Sequence, residues 1–222
     1  MVIYMQEQNF RIYYKNAPIT SVIYIIGEES DDVISKIDIK NAALVFVPVE
    51  NWNRDLSPYP AKTVFKGGED FSGGADAFYQ KLKEDIVPKA ESALPLSDNC
   101  VRGIAGYSLA GLFAMYALTK GGFVLAASMS GSLWYPGFSD LLKNAELPKN
   151  ACVYLSLGDK EAKTKNPVLK TVRASTEETQ RILTSRGACA YFEITPGNHY
   201  TDTAIRIAKG INHLISITEN EA

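Results

Sequence analysis

Histidine is almost missing from this chain, with two among 222 residues, and cysteine is scarce at three. No two histidines stand at ligand spacing, and neither C-x-x-C nor H-E-x-x-H occurs, so no metal centre is expected. An odd number of cysteines, two of them (Cys152 and Cys189) in segments that read as buried strands, does not make a disulfide framework. It suits free thiols in a reducing compartment, and the expectation is a cytoplasmic protein. Neither charge sign dominates: 23 basic side chains face 25 acidic ones, a net of −2, so no nucleic-acid or membrane partner is expected. No apolar run approaches the roughly 18 residues of a membrane span, and Met1–Glu7 has no basic segment leading into an apolar one. The phosphate-loop pattern G-x-x-x-x-G-K-[ST] is absent, which leaves Gly67-Gly68 and Gly73-Gly74 as turn and helix-entry residues and implies no cofactor. There is no repeat, linker or low-complexity tract, so residues 1–222 read as a single domain.

What the chain does have is alternation. Phe10–Tyr14 and Ser21–Gly27 are β-rich and separated by the turn signal Asn16-Ala17-Pro18, which gives the first third an antiparallel or mixed character. Ala42–Val49 reads as a buried strand followed by a long polar loop. Phe78, Leu82 and Ile86 recur at helical spacing, with Pro88 expected to bend or break that helix. Strands over Phe123–Ser128, Ala151–Leu157 and Cys189–Ile194 then alternate with helices over Pro167–Ser185, capped by Gly187, and Thr203–Ile217. This order predicts an α/β fold built on a doubly wound, mostly parallel sheet with an antiparallel N-terminal portion.

The most informative stretch is Gly106-Tyr107-Ser108-Leu109-Ala110-Gly111. The apolar run Val101–Ala105 leads into it and the helix-forming run Leu112–Leu118 leads out, the strand–turn–helix setting of a nucleophile elbow. The second glycine of G-x-S-x-G is replaced by Ala110, small enough to keep the turn. Serine needs a base. His213 falls in the last helix away from its apolar face and reads as a solvated surface residue, whereas His199 follows the last strand, at the same end of the sheet as Ser108. The carboxylate that would orient the imidazole should follow an intervening strand, and Asp159 and Glu161 both do so. For an oxyanion hole, one N–H comes from Leu109, and the loop after the strand Leu44–Val49 offers Trp52, or else Asn51. Asn51, Arg54, Tyr107 and Trp134 are candidate substrate contacts. Arg54 paired with Asp55, and Trp134 with Tyr135 as plain core, are the structural alternatives.

With those pieces in view, the chain resembles the esterases of the α/β-hydrolase superfamily that include enterochelin (ferric-siderophore trilactone) esterases, feruloyl esterases and S-formylglutathione hydrolase. The resemblance rests on Trp52–Pro58, Phe71–Asp76, Gly106–Gly111, Ser156–Glu161 and Gly197-Asn198-His199. It implies the α/β-hydrolase fold with minimal or no lid and hydrolysis of a small-molecule carboxylic ester, such as a siderophore trilactone or another bulky polar ester, with Ser108 as nucleophile, His199 as base and Glu161 as acid. The same triad would serve acyl transfer, and a catalytically inactive scaffold is the reading from outside enzymology.

Overall fold

The computed structural model describes residues 3–6 and 10–219. Strands β1 (Ile3–Gln6) and β2 (Arg11–Tyr14) pair antiparallel. Strand β3 (Ile19–Ile26) does not fold back on β2. Instead α1 (Asp31–Ile34) carries the chain to β4 (Ala42–Val47), which inserts between them, antiparallel to β2 and parallel to β3. Burial explains this order. β3 and β4 are buried on both faces, as interior strands of a parallel sheet must be, while β2 is largely half-exposed. β4 stops at Val47, short of the expected Val49, because Pro48 has no N–H to give the ladder.

Beyond β4 lie α2 (Trp52–Asp55) and a two-stranded excursion, β5 (Pro60–Ala61) with β6 (Phe71–Ser72). Then α3 (Ala75–Lys81) runs through a π turn at Leu82–Ile86 directly into α4 (Val87–Ser92). Pro88 therefore does not break the helix. It falls in the first turn after the widened one, where a missing N–H costs least. The elbow strand β7 (Leu96–Tyr107) feeds α5 (Leu109–Lys120), and the remainder alternates: β8 (Leu125–Met129), α6 (Phe138–Asn144), β9 (Cys152–Gly158), α7 (Val172–Ser185), β10 (Cys189–Thr195) and α8 (Thr203–Glu219). The α-helical part of α7 starts later than Pro167, after a 3₁₀ turn at Leu169–Thr171. At its other end Gly187, at φ 86°, closes a Schellman motif: its N–H reaches the Thr184 carbonyl and that of Ala188 the Leu183 carbonyl.

The main sheet runs β1-β2-β4-β3-β7-β8-β9-β10, parallel from β4 onward. Helix α5 is apolar all round and buried along most of its length in one core, with Phe78, Leu82 and Phe113. Ile211, Leu214 and Ile215 of α8 pack on the opposite face of the sheet. Two surface expectations change. His213 is not a solvated residue: its ring stacks on Tyr191 and tilts against Tyr154 over β9 and β10. Cys189, opposite Cys152 in the ladder, is exposed because β10 is the edge strand. Among the described residues no helix is long and apolar enough to cross a membrane.

Candidate active site

The parallel strands deliver their C-terminal ends to one rim, and the chemistry-bearing side chains sit there. Ser108 links β7 to α5 with φ 57° and ψ −120°, a conformation in which a side chain is strained. Close packing enforces the turn: a Cβ on Gly106 would lie 2.2 Å from the Ala110 carbonyl oxygen, and one on Gly111 2.8 Å from Ser128 Oγ. Ala110 is fully buried in this turn, so alanine satisfies the elbow. The Ser108 N–H donates to the Met129 carbonyl and its own carbonyl accepts from the Ser132 N–H, which fixes both sides of the turn.

His199 reaches Ser108 across the rim from the loop after β10. Its Nε2 is 3.0 Å from Ser108 Oγ and its Nδ1 is 2.8 Å from Glu161 Oε2. Nδ1–H donating to the carboxylate leaves Nε2 as the acceptor for the serine hydroxyl. Glu161 is buried, and its other oxygen is saturated: Oε1 accepts from Ser130 Oγ at 2.7 Å, from the Gly158 N–H at 2.7 Å and from Arg206 Nη1 at 3.0 Å. Burial alone would raise this carboxyl, but the bonds from His199, Ser130 and Gly158 outweigh it and hold the group below the ordinary carboxylate range.

Asp159, the alternative acid, points elsewhere. Its carboxylate accepts the Gly197 N–H at 2.7 Å and so braces the loop that carries His199. Ser108, His199 and Glu161 open onto a cleft of about 200 Å³ walled by Phe65, Trp134, Leu169, Val172 and Tyr200. Asn166 Nδ2 donates to the Val64 carbonyl at 2.6 Å and ties two of the cleft's loops together.

A family model described as "Putative esterase" matches residues 8–203. The chain belongs to this esterase family. The uncharacterized protein YbbA of Bacillus subtilis is 27% identical over 150 residues, an alignment that spans 65% of this chain and 60% of that protein. Among solved structures, an IroE-like serine hydrolase from Shewanella oneidensis superposes with a TM-score of 0.77 at 18% identity, over 97% of this chain and 80% of its own. The siderophore hydrolase EstB from Aspergillus nidulans gives 0.71 at 16% identity, over 96% of this chain and 94% of its own. At these identities the likeness is one of fold.

Other sequence candidates in this chain do not converge on the cleft. Asn51 is the N-cap of α2: its side chain accepts the Arg54 N–H and its own N–H is taken by the Asp55 carboxylate. Arg54 forks onto Asp55, with Nε to Oδ1 at 2.6 Å, beside a separate depression bordered by Pro48 and Lys81. Trp52 lies after β4, and β3 separates β4 from the elbow strand. Its indole covers Gly27, where an added Cβ would stand 3.9 Å from it. The loop that leaves the sheet beside the elbow is the one after β3. Tyr107 is turned beneath the histidine instead of into the cleft, donating to the His199 carbonyl at 2.5 Å.

Sequence reading missed Ser130 and Arg206. Ser130 is one of several serines in an apolar stretch and carries no motif. Arg206 falls on the side of the last helix that reads as polar, with Lys209, Gly210 and His213. Its available signal was the mid-helix glycine: Arg206, Gly210 and Leu214 lie four apart on a buried face, and a Cβ on Gly210 would meet Met129 Sδ at 2.4 Å.

Proposed function

We propose that this esterase hydrolyses carboxylic esters through an acyl-enzyme on Ser108. The observation that carries the reading is the unbroken hydrogen-bonded series Ser108–His199–Glu161, assembled from three loops at one sheet rim. As Ser108 Oγ attacks the ester carbonyl, its proton passes to His199 Nε2, and Glu161 Oε2, bonded to Nδ1–H, stabilises the imidazolium. The tetrahedral oxyanion is held by the Leu109 N–H, at the positive end of α5, and by the Glu28 N–H in the loop after β3. His199 then hands the proton to the leaving alkoxide. In the second half water attacks the acyl-serine, His199 takes its proton, and the carboxylic acid departs as Ser108 regains its hydrogen.

A bulky, polar ester such as a siderophore trilactone fits the shape of the site. The cleft is small and rimmed by exposed aromatics, Phe65 and Tyr200 among them, so it would grip one arm of a substrate whose remainder stays in solvent. A siderophore hydrolase among the structural relatives supports the same class. The complete set of reacting groups and the good fit of Ala110 weigh against an inactive scaffold.

Replacing Ser108→Ala should reduce hydrolysis of p-nitrophenyl acetate and of a trilactone by about 10³-fold or more. A fluorophosphonate probe should label the native chain at Ser108 and fail to label the variant. An alanine variant that keeps its turnover would end this reading.

A further inference from the structure

One charged side chain sits under the whole site without lining the cleft itself. Arg206, on the first turns of α8, has a side chain 2% exposed, as buried as the carboxylate it faces. Its Nη1 donates to Ser130 Oγ at 2.7 Å, to Tyr107 Oη at 2.9 Å and to Glu161 Oε1 at 3.0 Å. Its Nη2 donates to the Pro196 carbonyl at 3.2 Å, and both nitrogens approach the Asn198 carbonyl at 3.4 Å. The partners belong to the four segments that end β7, β8, β9 and β10.

Burying a guanidinium is costly unless its donors are satisfied and a counter-charge is near. Here the helix accepts that cost and leaves Nε buried without a partner. A side chain present only to fill the gap between α8 and the sheet would be apolar, as Ile211 and Leu214 are one and two turns on. The charge is directed at one atom, Glu161 Oε1. Ser130 Oγ is its relay, accepting from Arg206 and donating to the same oxygen. With Oε1 pinned by three donors, the carboxylate cannot rotate, and Oε2 is left to His199 alone. Asp159 and Tyr107 are the other titratable groups beside this cluster, and neither can substitute: Asp159 is committed to the Gly197 N–H and Tyr107 to the His199 carbonyl.

We infer that Arg206 is a positioning residue for the reaction: it acts through Glu161, with Ser130, to fix the carboxylate that orients His199. The inference rests on the Ser108 hydrolase reading. Arg206 reaches the cleft only through Ser130 and Glu161 and does not itself line it, so it has no contact to offer a substrate and the loss falls on kcat.

A double-mutant cycle tests it on the full chain with p-nitrophenyl acetate. Arg206→Met should lower kcat about 10²-fold while KM stays within about threefold, and Arg206→Lys, which keeps the charge, should recover part of the loss. In an Glu161→Gln background, Arg206→Met should cost less than about threefold further, because the group it acts through has gone. Losses that multiply in the double variant, or wild-type kcat in a folded Arg206→Met protein, would overturn the inference. If the methionine variant does not fold, the same cycle is run with Arg206→Lys, whose loss of about tenfold must likewise vanish beside Glu161→Gln. Ser108→Ala is measured in parallel. Its failure to abolish turnover removes the underlying reading, whereas an inactive Ser108→Ala beside unaffected arginine variants removes only the role of Arg206.

Discussion

Ser108 holds a backbone conformation that costs on the order of 1–3 kcal/mol, and the packing of Gly106 against Ala110 makes it bear that cost. The serine and His199 were legible because each stands at a strand end, one inside a motif and the other the better placed of only two histidines. Between Asp159 and Glu161 the spacing alone did not choose. The two lie two residues apart, and what separates them is which carboxylate meets the Ser130 hydroxyl and which meets the Gly197 amide, a long-range matter. Arg206 was illegible for a simple reason: a charged residue on a helix is ordinarily solvated, and only its pairing with a buried carboxylate inverts that.

The bonds that Glu161 accepts from His199, Ser130 and Gly158 have a pH consequence. The Glu161 carboxyl lies below its ordinary value of 4.5 in the folded chain, so its stabilising contribution is complete above that pH and is lost as pH falls through the lower, folded value. Glu161→Gln lacks this contribution, and the difference in Tm between wild type and variant should shrink as pH falls from about 6 to about 3. A difference that stays constant over that range would exclude an ionised Glu161 as its source.

At the scale of elements, most strands and helices could be read from their periodicity, to within a few residues at their ends. Sheet order could not. The segments β2 and β3 read as neighbours across a turn, yet β4 lies between them, and this places the loop after β3 next to the elbow. The proposal of the Glu28 N–H as second oxyanion donor rests on that order. Trp52 opens α2, a position where proline is tolerated, so Trp52→Pro deletes its N–H without breaking the helix. Turnover of Trp52→Pro should match that of Trp52→Ala, while Glu28→Pro should lower kcat by about 10²-fold at unchanged fold. The reverse pattern would return the role to the α2 loop. The π turn before Pro88 was likewise hidden, because one residue beyond the pitch of an α-helix leaves no mark on composition.

Across the whole molecule the cysteines report how the sheet is finished. No disulfide joins them, and β10 lies outermost. The exposed Cys189 should react with Ellman's reagent in the native protein within minutes. Partial burial and the nearby Glu91 push the half-buried Cys100 thiol up to about 11, so Cys100 should react far more slowly than Cys189 at neutral pH. Mass mapping of the labelled peptides separates the two, and labelling of Cys100 as fast as that of Cys189 in the native state would contradict its raised thiol pKa.

The guanidinium beneath the rim also bears on how such a site can change over generations. Because segments from four strand ends share a single anchor, none of them can drift alone: a substitution that shifts one loop disturbs the bonds that hold the other three. Variation is channelled outward, to the aromatic rim, where Phe65 and Tyr200 meet solvent and can be exchanged with little disturbance underneath. New substrates can thus be acquired at the mouth while the chemistry below is inherited intact.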